Sequence, residues 1–155
     1  MSRIKGEFNG KVLNKMQIKL PALSVNEAIA RGIVAVFVSQ LDPEINELAD
    51  IKCAVSEAVT NAIVHGYRYT DGFVSITACV LEHRVVKIQI KDKGCGIPDV
   101  RQARQPLYTT DAAGERSGMG FTVMESFMDG LRVTSKEGRG TTVTMYRQLS
   151  PREGL

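Results

Sequence analysis

The sequence predicts an α+β fold, a two-layer sandwich with a mixed, mostly antiparallel sheet and helices packed on one face. Three observations lead there. Residues 24–65 carry two consecutive apolar stripes at helical spacing, each opened by capping residues. From Phe73 to Asp92, and again from Leu131 to Tyr146, the apolar period drops to two and each stretch is split by a turn. The chain has 155 residues, enough for one domain around one core.

Each element has its own justification. Met16 to Leu20 alternates Met, Ile and Leu with Gln and Lys and reads as a first strand. Ser24-Val-Asn-Glu27 has the form of a capping box, so a helix is expected to start there. Val25, Ile29, Ile33, Val36, Phe37 and Leu41 are expected to be its core stripe. Asp42-Pro43 should end that helix and open the next, with Asp as N-cap and Pro at the first helical position. The second helix should run to about His65, with Gly66 in the left-handed C-terminal position. Its core face would be Leu48, Ile51, Val55, Ala58, Val59 and Ala62. Phe73 to Leu81 and Arg84 to Asp92 form a hairpin around Glu82-His83. Pro98 to Arg116 has no sustained periodicity, and a loop that long in a compact domain is usually functional or disordered. Met119 to Met128 reads as a short helix, and a last hairpin turns at Gly138-Arg-Gly140. The expected organisation is a loose leader over 1–13, one domain over 14–148 and a tail over 149–155.

Composition narrows the function. The net charge is only +3 and the basic residues are scattered, unlike the dense basic stripe of a nucleic-acid binder. Three cysteines with no C-x-x-C pair argue against a disulfide framework or a zinc site and fit a reducing cytosol. The N-terminus has no apolar signal core, and Ile33 to Val38 is too short to span a bilayer. A soluble cytoplasmic protein that binds neither nucleic acid nor membrane is expected.

Three motifs carry the chemistry. Glu57, Asn61 and His65 fall on one stripe of the second helix. An Asn carbonyl oxygen suits Mg²⁺, and a Glu one turn away could deprotonate a hydroxyl. Taken alone, this stripe reads first as a solvated helix edge, with His65 favoured by the helix dipole. Asp92 is sharper. Period two puts it on the same face as Val86, Ile88 and Ile90, where a carboxylate needs a donor. The exocyclic amine of adenine could be that donor, with Gly94 and Gly96 letting the backbone approach the base. The alternative is an ordinary Asp-Lys-Gly strand end. Gly118-Met-Gly120 stands at a helix start, where free N–H groups bind phosphate. Arg116, just before it, is placed to contact a terminal phosphate. The alternative there is a Gly-rich helix entry with a solvated Arg. Cys95 and the methionines read as apolar filler.

In this order the motifs resemble the N, G1 and G2 boxes of the Bergerat-fold ATPases. Neither a G-x-x-x-x-G-K-[ST] loop nor a protein-kinase catalytic loop is present. Within that superfamily the short chain resembles the bacterial anti-sigma factor serine kinases. Residues 55–67, Ala103-Arg-Gln-Pro-Leu-Tyr-Thr-Thr110 and Glu115-Arg-Ser-Gly-Met-Gly-Phe-Thr-Val-Met-Glu125 resemble the sporulation branch, the anti-sigma-F factors. The likeness runs from about Met16 to Tyr146. It implies Glu57 as catalytic base, Asn61 as Mg²⁺ ligand and Asp92 as adenine-binding carboxylate beside Gly94 and Gly96. It implies a lid from Pro98 to Arg116, with Arg116 on the terminal phosphate. Ser117, Gly118, Met119 and Gly120 match the phosphate-binding turn, Thr141 a nucleotide-site threonine, and Arg31 a partner-binding position. Lys93 stands where an acidic residue is common, and Lys136 to Gly140 departs slightly from the family pattern.

The resemblance implies a homodimer that binds ATP or ADP with Mg²⁺ and holds sigma factor F away from RNA polymerase. It also implies phosphorylation of a serine on an anti-anti-sigma protein. Three alternatives stay open: a histidine-kinase catalytic domain, a nucleotide-gated sigma-binding module without useful catalysis, and a stress-response relative.

Overall fold

The computed structural model describes residues 6–106 and 120–152. Its strands are β1 (Val12–Pro21), β2 (Phe73–Leu81), β3 (Val85–Asp92), β4 (Gly130–Lys136) and β5 (Gly140–Gln148). They form one sheet in the order β1-β2-β3-β5-β4, and every neighbouring pair is antiparallel. Helices α1 (Val25–Val38), α2 (Ile45–Asn61), the one-turn α3 (Val100–Ala103) and α4 (Gly120–Phe127) complete the fold. The expected α+β architecture is therefore the observed one, with an antiparallel sheet among the described residues in place of the mixed one expected.

The core lies between the sheet and α1, α2 and α4. Ile51, Val55, Ala58 and Val59 of α2 are buried against Ile76 and Ala78 of β2, Ile88 and Ile90 of β3, and Val143 and Met145 of β5. Alternation drives this: Val86, Ile88, Ile90 and Asp92 share the buried face of β3, and Lys91 points to solvent.

Local expectations fail at three helix ends. Ser24 does not cap α1, because its own backbone is helical and its side chain makes no capping bond. Glu27 instead accepts a hydrogen bond from Ser56 on α2. Asp42 and Pro43 lie outside α2. Asp42 is left-handed (φ 46°) at the end of a single 3₁₀ turn, and Glu44 and Glu47 form the capping box that opens the helix. The Glu44 N–H donates to Glu47 Oε1 over 3.1 Å. Gly66 is not left-handed; α2 runs on into a π-helical turn over Ala62–Gly66, and the positive φ values fall at Arg68 and Tyr69.

The proposed core stripe of α1 is also displaced. Its buried positions are Asn26, Ala30, Val34 and Val38, whereas Val25 and Val36 are 66% and 74% exposed. Small side chains let α1 approach α2 closely, which turns the larger aliphatics outward.

β1 starts four residues before the expected strand, and the segment ahead of it crosses the outer face of the sheet. Phe8 packs on Tyr146 with ring centroids 5.8 Å apart, beside Cys79, Leu81 and Val85. The Gly6 N–H donates to the Asp129 carbonyl over 3.1 Å. Among the described residues no helix is long and apolar enough to cross a membrane.

Candidate functional site

Asp92 is the last residue of β3 and is 6% exposed. It faces Thr141 in the register with β5. Its Oδ1 accepts the Gly94 N–H over 2.9 Å. Burial pushes the carboxyl above its ordinary range, while the backbone N–H groups of Gly94 and Thr141 pull the other way. A buried carboxylate with spare acceptor capacity is the environment that an adenine amine would complete.

The walls around Asp92 are backbone. A Cβ on Gly66 would lie 2.9 Å from Asp92 Oδ1, and one on Gly94 would lie 2.2 Å from the Gly66 carbonyl oxygen. The two glycines stack the end of α2 directly against the β3 exit. The Cys95 N–H fixes that contact by donating to the Gly66 carbonyl over 2.8 Å. The π-helical turn is what brings Gly66 there, and such turns are frequent at functional sites. Gly66 therefore belongs to the site, though the sequence suggested only a helix terminator. Gly140 closes the other side. Its φ is +112°, and a Cβ there would lie 2.1 Å from the Asp92 carbonyl oxygen.

Thr141 is nearly buried and its hydroxyl lies 2.8 Å from Ser135 Oγ. Ser135 Oγ also meets the Ile97 N–H at 2.7 Å, so this Ser–Thr pair holds the Gly96-Ile97 loop to the sheet. Tyr67 plays a matching part, with its hydroxyl donating to the Phe73 carbonyl over 2.6 Å and accepting the Lys93 N–H over 2.8 Å. Neither Ser135 nor Tyr67 carries a sequence signal beyond its residue type. The Lys93 side chain is exposed.

Glu57 and Asn61 lie on α2, both half-buried. The structure brings Gly120, the first residue of α4, against both of them. A Cβ on Gly120 would lie 3.1 Å from Asn61 Nδ2, 3.2 Å from Asn61 Oδ1 and 3.3 Å from Glu57 Oε2. A helix N-terminus facing an amide and a carboxylate can take an anion together with its cation. Mg²⁺ fits this donor set, because it typically takes one or two protein oxygens and completes its shell with phosphate and water. Among the described residues no group of three His, Cys, Asp or Glu forms an all-protein metal cage.

Arg116, Ser117, Gly118 and Met119 lie outside the described residues, as does much of the expected lid. The part of it that is described forms α3, capped by Asp99 accepting the Gln102 N–H over 3.0 Å. Arg104, just after α3, pairs with Glu125 of α4. Arg31 lies on α1, 3.5 Å from both Glu27 and Ser56 Oγ.

Comparison with known proteins fits this geometry. Residues 20–147 match the family described as the histidine kinase-like ATPase domain. The chain is 52% identical over 137 residues to an anti-sigma F factor of Clostridium acetobutylicum, covering 88% of this chain and 95% of that one. It is 50% identical over 145 residues to an anti-sigma F factor of Bacillus licheniformis, covering 92% and 97%. Among solved structures, a histidine kinase domain from Erythrobacter litoralis superposes with a TM-score of 0.53 at 21% identity, covering 79% of this chain and 61% of that one. The mycobacterial sensor histidine kinase MprB superposes with a TM-score of 0.55 at 14% identity, covering 88% and 100%. At such identities the two structural matches speak for the fold alone.

Proposed function

The chain belongs to the anti-sigma F factor family of histidine kinase-like ATPase domains, and from that membership we propose that it binds and inhibits sigma factor F and phosphorylates a serine of an anti-anti-sigma protein. Mg-ATP would be the phosphoryl donor. The observation that carries the reading is the meeting of Gly120 with Glu57 and Asn61 on the same helical run whose end packs Gly66 against the buried Asp92.

The proposed roles join the family resemblance to the local chemistry. Asp92 accepts the adenine amine, with Gly94, Gly96 and Thr141 around the base. Asn61 supplies an amide oxygen to Mg²⁺. Glu57 takes the proton from the attacking serine hydroxyl. Gly120 and, by family resemblance, Ser117, Gly118 and Met119 bind the phosphates, and Arg116 steadies the terminal phosphate. The bound Mg²⁺ would supply charge neutralisation at the transferring phosphoryl group. Arg31 contributes to partner binding. The absence of a membrane-crossing helix among the described residues is compatible with a cytoplasmic site of action.

The test is to incubate the protein with Mg²⁺, γ-labelled ATP and an anti-anti-sigma protein, then locate the label. Serine-linked label on that partner is the expected result. Label on a histidine, or ATP binding without transfer to any partner serine, would overturn the kinase assignment.

We also propose a homodimer built on α1 and the free edge of β1. β1 is the outermost strand of the sheet. Beside it, Met16, Ile29, Ile33, Val36 and Phe37 line an open apolar groove. An unpaired strand edge next to an exposed aliphatic helix face is what a self-complementary interface uses. Val36→Glu should therefore sediment as a monomer that is still folded; a dimer of unchanged strength would move the interface elsewhere.

A further inference from the structure

Arg147, near the end of β5, is fully buried. Period two carries it onto the helix-facing side of the strand, in line with Val143 and Met145. Its Nη1 donates to the carbonyl of Phe127, the last residue of α4, and to Asp50 Oδ2 on α2 over 3.1 Å. Its Nε lies 4.0 Å from Asp129 Oδ2, which accepts the Gln148 N–H over 2.8 Å. Nε and Nη2 have no hydrogen-bond partner among the described residues. A buried guanidinium that leaves two of its nitrogens without a hydrogen bond is a poor device for stability, since desolvation opposes the Coulombic gain. Its value must lie in what it joins.

What it joins is the same pair of helices that forms the phosphate end of the site. Asp50 lies about two helical turns before Glu57 on α2, and Phe127 lies about two turns after Gly120 on α4. The helices run antiparallel, bridged by Arg147 at one end and meeting as Gly120 against Glu57 and Asn61 at the other. Gly120 has little slack there, with only 3.1–3.3 Å between its Cβ position and the two side chains. A slide of α4 along α2 would change that spacing at once. The adenine end is built on β3 and β5, whose strand ladder does not depend on α4.

We infer that Arg147 is a positioning residue for the phosphate end of the nucleotide site, setting the register of α4 on α2 through Asp50 and the Phe127 carbonyl. The inference rests on the nucleotide-site reading above. It separates two halves of one ligand: loss of the bridge should harm recognition of the β- and γ-phosphates and leave recognition of adenosine and the first phosphate intact.

The experiment measures Mg-dependent binding of ATP, ADP and AMP by calorimetry to wild type, Arg147→Lys and Asp50→Asn, together with their melting curves. Lysine keeps the charge but cannot fork between Asp50 and the Phe127 carbonyl. The expected result is an ATP-to-AMP affinity ratio lowered by on the order of tenfold, with AMP affinity unchanged. Should Arg147→Lys fail to fold, Asp50→Asn weakens the same bridge by removing its charge from a partly exposed position and should shift the ratio in the same direction. Equal loss of all three nucleotides, or no change in either folded variant, would overturn the inference. Wild type that binds no adenine nucleotide would instead sink the nucleotide-site reading itself.

Discussion

Asp92→Asn should bind ATP about 10- to 100-fold more weakly than wild type, yet melt no lower in the absence of nucleotide, because a hydrogen bond to a buried carboxylate is worth about 1.5–3 kcal/mol. The first half follows from the donor count. A carboxylate accepts from the adenine amine, whereas an amide can turn its NH₂ toward that amine and leave both unpaired. The second half follows from the direction of the Asp92 shift. Burial raises its pKa in the folded protein. Between the ordinary carboxylate range and that raised value, the folded protein holds a proton that the unfolded chain has released. Stability therefore falls as pH rises through that window and stays lower above it. Asparagine carries no charge to desolvate, so the apo variant loses this pH dependence. Calorimetric titration with ATP and thermal melts across the mildly acidic range check both halves. A variant that melts lower and binds ATP normally would make Asp92 a structural strand terminator instead.

The opposite signs in that prediction indicate how the site could be read from the residues. Asp92 was visible because it breaks the rule its strand obeys: three aliphatics on one face, then a carboxylate on the same face. Glu57 and Asn61 were visible only as a stripe, and spacing alone could not distinguish a solvated edge from a wall of the site. The contact that favours the second reading is with Gly120, a residue from a helix more than fifty positions later. Gly66 was misread for a related reason. A glycine after a helix normally relieves backbone strain, but here it makes room for Asp92, and that neighbour arrives through tertiary packing. The first helix failed differently. It is apolar on more than one side, and the stripe of bulkier residues read from periodicity includes Val25, Ile29 and Val36, which are exposed. Close packing on α2 selected Ala30 and Val34, and the leftover face of Val25, Ile29 and Val36 supports the proposed dimer. Glu44 and Glu47 outcompeted Asp42 and Pro43 as the start of α2, because a reciprocal pair of hydrogen bonds satisfies two orphan N–H groups at once.

Glu57→Gln should lower the turnover of serine phosphorylation by about 10²- to 10⁴-fold, the usual contribution of a positioned general base, with the affinity for Mg-ATP changed only a few-fold. Glutamine preserves the length and planarity of the side chain, so the packing against Gly120 persists. What is lost is the ability to take a proton. In the proposed site Asn61, one turn further along α2, keeps its amide oxygen for the metal, so binding should survive. Single-turnover transfer from pre-bound Mg-ATP to a saturating partner separates the two quantities. Full turnover in the variant would remove Glu57 from the chemistry. Equal losses of affinity and rate would make it part of the phosphate-binding wall. The contrast with Asp92 is the stronger test. One substitution should weaken binding and the other should slow transfer, because the proposed roles set the two carboxylates at opposite ends of one nucleotide. If Asp92→Asn slowed transfer at saturating ATP while Glu57→Gln weakened binding, the orientation of ATP in this pocket would have to be reversed.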